Sequence, residues 1–139
     1  MSTPVETAEK WYRFIAERDM ESLRALCDPD IEFIVADGFP AGGRWVGRDT
    51  VFDEFFPESF RAWKWLVPEV DEIFASEGDA VTVRGRYVGV TRETGTDFNV
   101  PYAHLWRVKG DRLSWLQQYV DTALLNQAIA GETADAVRA

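Results

Sequence analysis

Phe98-Asn99-Val100-Pro101-Tyr102-Ala103-His104-Leu105-Trp106-Arg107-Val108 is the stretch on which the reading of this chain turns. Side chains of a strand alternate between its two faces, so Phe98, Val100, Tyr102, His104, Trp106 and Val108 share one face. Asn99, Pro101, Ala103, Leu105 and Arg107 share the other. One face is thus an aromatic surface carrying the single histidine of the chain. An imidazole held there can serve in proton transfer or in hydrogen bonding to a guest.

Outward from that strand, the period of two persists. Strands are predicted near 66–76, 80–92, 97–108 and 112–120, with turns at Ser76-Glu77-Gly78-Asp79, Glu93-Thr94-Gly95 and Lys109-Gly110-Asp111. Short turns make these strands antiparallel neighbours. Upstream the period lengthens. Thr3-Pro4-Val5-Glu6 carries the signals of a helix start and a capping box. Ala8, Trp11, Tyr12 and Ile15 then fall on one helical stripe. Asp19 is predicted to cap a second short helix through Leu23, Leu26 and Cys27, which Pro29 ends. Ile31, Phe33, Val35 and Asp37 alternate as a strand, and Gly38 to Gly43 reads as a loop. A third helix is predicted from Gly47 to Trp63, kinked or restarted at Pro57. Thr122 to Ala130 reads as a closing helix with Gly131 past its end.

The composition bounds the answer. A chain of 139 residues that is 46% hydrophobic is the size of one domain with a real core. We place that domain over residues 1–131 and expect 132–139 to be a frayed tail. Fifteen basic against 24 acidic side chains give a net charge of −9. That balance argues against nucleic acid as a partner and against an anionic membrane surface. One cysteine excludes an internal disulfide, and Cys27, on a helical stripe, reads as a small buried hydrophobe. One histidine and one cysteine give no metal-ligand spacing, so no metal is expected. No phosphate-cradling glycine loop appears, so no cofactor is expected either. The amino terminus lacks the basic and apolar regions of a signal peptide, and no apolar run spans a bilayer, so a cytoplasmic protein is expected.

Helices gathered before an antiparallel meander give an α+β domain. With that order, three segments resemble the nuclear transport factor 2-like superfamily, and within it the SnoaL-like group that includes polyketide cyclases. They are Gly47-Arg48-Asp49-Thr50-Val51-Phe52-Asp53-Glu54-Phe55-Phe56, Tyr102 to Leu113, and Gln118-Tyr119-Val120-Asp121-Thr122. The resemblance covers residues 5–130. It implies a cone: a curved, antiparallel or mixed sheet closed by three helices of the first half and a short C-terminal helix. It also implies a homodimer, for which Trp115 and Tyr119, placed by alternation on the outer sheet face, supply an aromatic surface.

What the resemblance implies for chemistry depends on the position. Where the family's ketosteroid isomerases carry a tyrosine, a base aspartate and a protonated aspartate, this chain has Trp11, Val35 and His104. The final-strand aspartate of the epoxide hydrolases matches Asp121, while their arginine and second aspartate fall near Gly85 and Tyr87. The pocket aspartate of some cyclases falls near Gln118. The expected function is therefore a cofactor-independent enzyme performing acid–base chemistry on a small apolar oxygenated molecule, by isomerisation, aldol cyclisation or dehydration. The alternative is a non-catalytic binder of hydrophobic ligands, or a dimeric scaffold.

His104 is the expected catalytic acid–base or oxyanion group, with Asp37 or Asp121 as the second proton carrier. A carboxylate among aromatics is raised in pKa by desolvation, which suits Asp37. Both aspartates have a plain structural alternative: Asp37 as a turn residue and Asp121 as a helix cap. Trp11, Tyr12, Phe33, Val35, Phe56, Tyr87, Tyr102, Trp106 and Gln118 are the expected substrate-binding wall. With His104 as the catalytic group, His104→Ala should abolish turnover while leaving the melting temperature nearly unchanged.

Overall fold

The computed structural model describes residues 2–132. Its elements are α1 (Pro4–Ala16), α2 (Met20–Leu26), β1 (Cys27–Val35), β2 (Gly43–Val46), α3 (Arg48–Thr50), a π-turn (Val51–Phe55), α4 (Phe56–Phe60), β3 (Trp63–Ala75), β4 (Ala80–Thr91), β5 (Asp97–Lys109), β6 (Arg112–Val120) and α5 (Thr122–Ile129). The six strands form one sheet in the order β2-β1-β6-β5-β4-β3. β1 runs parallel to β6, and every other pair is antiparallel. The fold is the expected α+β architecture, with an open mixed sheet. The 132–139 tail expectation lies, from 133 onward, outside the described residues.

Local chemistry sets the helix ends. Thr3 accepts from the Glu6 amide at 3.1 Å, and the Thr3 amide donates to the Glu6 carboxylate at 2.9 Å, so the predicted capping box is complete. Asp19 caps α2 through the Ser22 amide at 3.1 Å. Between them, α1 closes in a Schellman turn: the Arg18 amide donates to the Ile15 carbonyl and the Asp19 amide to that of Phe14. Arg18 takes the left-handed position there, at φ 57°. A residue with a Cβ holds that conformation at a cost of roughly 1–2 kcal/mol.

The expected helix from Gly47 to Trp63 is instead three short segments. The Phe56 amide reaches back to the Val51 carbonyl, one residue further than in an α-helix. Pro57 has no amide hydrogen, and its ring crowds the carbonyl four residues earlier, so the hydrogen-bond register slips before it. The wider turn buries Phe52, Phe55 and Phe56 together. Strand β2 was not anticipated. At four residues its alternation is too short to stand out, and it exists because β1 offers a free edge, pairing Trp45 with Phe33.

Strand β5 follows the predicted alternation: Phe98, Val100, Tyr102, His104, Trp106 and Val108 are all buried, and Asn99, Pro101 and Arg107 are exposed. Its inner face looks onto α1, which packs against β3, β4, β5 and β6. A close approach explains one glycine. A Cβ on Gly85 would lie 1.9 Å from the Glu69 carbonyl oxygen and 2.7 Å from the Tyr102 hydroxyl. Gly85 thus lets the Tyr102 ring lie across β4, where its hydroxyl donates to that same carbonyl at 2.9 Å. On the outer face Tyr119 is exposed and Trp115 half-buried. Among the described residues, no helix is long and apolar enough to cross a membrane.

Candidate functional site

Strand pairing brings the polar groups of the interior together. His104 on β5 lies opposite Gln118 on β6 and Val83 on β4. Tyr87, four residues further along β4, points to the same side, and α1 lowers Tyr12 onto the imidazole from above. The Tyr12 hydroxyl lies 2.6 Å from His104 Nδ1, and the Tyr87 hydroxyl 2.6 Å from Nε2. Trp106 Nε1 donates to the Tyr12 oxygen at 2.8 Å, and Gln118 Nε2 donates to the Tyr87 oxygen at 2.8 Å. The Ala36 amide donates to Gln118 Oε1 at 3.1 Å. Tyr102 stacks on the imidazole with ring centres 4.1 Å apart.

The far ends of this chain of hydrogen bonds fix its polarity. A backbone amide only donates, so the Gln118 carbonyl oxygen faces Ala36 and its NH2 faces Tyr87. An indole N–H likewise only donates, so the Tyr12 oxygen accepts from Trp106. His104 is 3% exposed, and desolvation lowers its pKa from 6.5 to about 3. At neutral pH the ring is uncharged, with one N–H and one bare nitrogen. Burial raises Tyr12 and Tyr87 well above the usual phenol range, so both keep their hydrogens.

Counting hydrogens then has one outcome. Two tyrosines and a neutral imidazole bring three, and the two tyrosine–imidazole contacts use two. One O–H hydrogen is left over. Tyr87 and His104 line an interior cavity of about 70 Å³, whereas Tyr12 stands behind the imidazole, away from it. With the N–H on Nε2, Tyr12 donates to Nδ1 and Nε2–H donates to the Tyr87 oxygen, and the hydrogen without a protein partner is that of Tyr87, the tyrosine that lines the cavity. This tautomer is assigned by elimination.

Of the expected site residues, Trp11, Phe33, Val35, Phe56, Tyr87, His104 and Gln118 line that cavity. Tyr12, Tyr102 and Trp106 form a buried layer that holds the imidazole. Asp37 sits in an exposed turn after β1, away from the cavity. Asp121 caps α5, accepting from the Leu124 amide at 3.0 Å. Neither carboxylate joins His104, because β1 ends before Asp37 can turn inward and the cap holds Asp121 at the strand–helix junction. Among the described residues, no carboxylate lines the cavity. Wall residues the sequence reading did not single out include Phe39, Ser59, Leu66 and Leu116. Phe39 and Ser59 belong to a loop and a short helix, where periodicity carries no face information. Cys27 is buried, and desolvation pushes its thiol up to about 12, as suits an inert hydrophobe.

The buried neutral imidazole ties stability to pH. The unfolded chain protonates His104 near 6.5 and the folded chain only near 3. The unfolded state therefore binds more protons across that window. Stability from the neutral ring is fully present above pH 6.5 and is lost as pH falls toward 3, by up to about 1.4 kcal/mol per unit. Between pH 6.5 and about 5, above the ordinary carboxylate range, the melting temperature should fall steadily in the native chain and much less in His104→Gln. A flat profile in that interval would contradict the buried neutral ring.

The model of the SnoaL-like domain matches residues 8–115. No curated protein sequence matches the chain. Among solved structures, an NTF2-like protein of Burkholderia thailandensis E264 is 30% identical, with a TM-score of 0.85 over 93% of this chain and 98% of the other. TerC, co-crystallized with polyporic acid, is 22% identical, with a TM-score of 0.83 over 93% of this chain and 99% of the other. A protein of Jannaschia sp. CCS1 named as a SnoaL-like polyketide cyclase is 18% identical, with a TM-score of 0.76 over 94% and 93%. The family match over most of the chain, with a fold to suit it, makes this protein a member of the SnoaL-like domain family within the NTF2-like superfamily.

Proposed function

We propose that this protein binds a small apolar oxygenated molecule and polarises its carbonyl oxygen with the hydroxyl of Tyr87, without a cofactor. The observation that carries the reading is the O–H hydrogen left over in the Tyr12–His104–Tyr87 chain, beside a cavity whose other walls are mostly apolar. A donor aimed into a dry site stabilises an oxygen on which negative charge develops. The reactions that need this are those of the expected class: isomerisation, aldol closure and dehydration through an enolate.

The raised tyrosine pKa values decide how Tyr87 acts. Complete transfer of its hydrogen would draw Nε2–H onto the Tyr87 oxygen and the Tyr12 hydrogen onto Nδ1, leaving a phenolate at Tyr12. Burial opposes that phenolate. Hydrogen-bond donation is thus the stronger contribution, and His104 acts through Tyr87 as a positioning residue. The ring's lowered pKa makes it a poor base at neutral pH. The proton leaving carbon accordingly goes to solvent or to the substrate's own basic group.

2-Indanone in D2O tests the reading. The protein should speed exchange of the ketone's α-hydrogens and shift its carbonyl carbon resonance downfield. A shifted resonance without acceleration would favour the second reading, a non-catalytic binder, for which the lack of any carboxylate in the cavity speaks. Neither change would remove both. Co-crystallization of the relative TerC with polyporic acid supports a small-molecule role for this cavity.

A further inference from the structure

The inner cavity cannot hold a whole ligand. Its roughly 70 Å³ is about half of the ~150 Å³ known to take benzene, so it admits little more than a carbonyl and its neighbours. The body of a guest must lie outside it. Ile15, Phe60, Trp63 and Leu66 border both this cavity and a larger surface depression of about 430 Å³. That depression adjoins the cavity across those four side chains.

Its lining combines cations with apolar side chains. Arg18, Lys64 and Arg92 line it, together with apolar side chains such as Met20 and Trp65, and among the described residues no aspartate or glutamate does. The chain carries 24 acids and 15 bases, so three cations with no acid reverse the overall balance. Elsewhere Arg24, Arg44, Arg84, Arg86 and Arg107 are paired to carboxylates, whereas Lys10, Arg13, Arg48, Arg61, Lys109 and Arg112 have none within 4.0 Å among the described residues, so what marks the rim is three cations lining one depression. Among the described residues, Arg18, Lys64 and Arg92 have no carboxylate within 4.0 Å. Arg92 is held in place by the carbonyls of Phe60 and Arg61 at 3.3 and 3.1 Å.

Arg18 supplies an independent observation. It occupies the left-handed position of the Schellman turn after α1, at φ 57°, where glycine is the unstrained choice. That strained position sets Arg18 among the residues lining the depression.

We propose that the ligand is an amphipathic organic anion. Its carboxylate lies at the Arg18–Lys64–Arg92 rim, its apolar body crosses Phe60, Trp63 and Leu66, and its inner oxygen accepts from Tyr87. The inner contact rests on the function proposed above, while the rim stands on its own residues. Unpaired cations beside low-dielectric walls attract a carboxylate more strongly than the same groups in open water.

4-Oxo-4-phenylbutanoate and its neutral amide, 4-oxo-4-phenylbutanamide, form a matched pair for the test. Binding to the full chain is followed by calorimetry at low salt. The acid should bind about tenfold more tightly than the amide, and the preference should shrink as salt rises. The double variant Arg18→Gly, Lys64→Gln should lose the preference while keeping or raising the melting temperature, since glycine relieves the left-handed strain. Equal affinity for acid and amide, no binding of either at millimolar concentration, or a preference that survives the double variant would each overturn the proposal. In Tyr87→Phe the preference should persist although both ligands bind more weakly. That outcome separates a failure of the rim from a failure of the inner donor.

Discussion

His104→Ala is expected to lower the melting temperature by on the order of 10–20 °C. The change removes a ring that is 3% exposed and leaves a void between Tyr12, Tyr87 and Tyr102. It also takes a partner from two buried hydroxyls, each 2.6 Å from a ring nitrogen. Cavity formation and an orphaned hydroxyl cost a few kcal/mol each where the site cannot relax, so a total of about 3–5 kcal/mol is expected. This reverses the sequence-based expectation that the ring is expendable to folding. The reason lies in both nitrogens being engaged: a histidine that merely faced a cavity would leave one free. Thermal unfolding of the native and variant chains decides it, and a shift of a degree or two would mean that the hydrogen-bonded chain contributes little. His104→Phe restores the volume without the nitrogens. Its remaining deficit should isolate the polar part.

The second large effect falls on Tyr87. In Tyr87→Phe the rate of α-hydrogen exchange in a bound cyclic ketone should drop by about 10²–10³-fold, the usual loss when one oxyanion donor is removed. Stability should fall by only about 1–3 kcal/mol, because Gln118 Nε2 and His104 Nε2 lose an acceptor while the ring's packing is kept. Tyr12→Phe is the informative contrast. It removes the same atom from the other end of the chain and orphans the Trp106 indole N–H, at a similar cost in stability. Because Tyr12 does not line the cavity, its loss should leave most of the rate. Equal losses in the two variants would show that the rate follows the integrity of the interior and not the donor on Tyr87. A Tyr87→Phe protein with unchanged exchange would end the proposed function outright.

Much of this protein was legible from its residues taken in order. Alternation in 98–108 placed His104, Tyr102 and Trp106 on a buried face, since a strand sorts side chains by parity alone and one buried face fixes the register. The capping box at Thr3 and Glu6 and the Asp19 cap are likewise local, each completed within three residues. The proline at 57 foretold a break in the helix, although not that the turn before it would widen to π hydrogen bonding. Strand β2 escaped notice because four residues cannot establish a period.

The site divides along the same line. Parity identified His104, Phe33, Val35 and Tyr87 as inward-facing. Continued to the end of β1, parity made Asp37 a candidate proton carrier, whereas Asp121 was a candidate through the resemblance to the family's epoxide hydrolases; an element's end is where side-chain direction escapes the pattern. Which groups touch is a separate matter. Tyr12 and His104 are 92 residues apart, and Tyr12 and Trp106 are 94 apart. Their hydrogen bonds exist only because α1 packs across the sheet. The same packing turned the imidazole from an available base into a neutral ring with both nitrogens occupied. Sequence by itself determined the elements, the buried faces and the chemical types lining the interior, because those follow from short-range periodicity and burial. Tertiary structure alone decided the neutral state of His104, the placement of both aspartates away from it and the O–H of Tyr87 left without a protein partner, because desolvation and hydrogen-bond partnership are properties of distant residues brought within about 3 Å of one another.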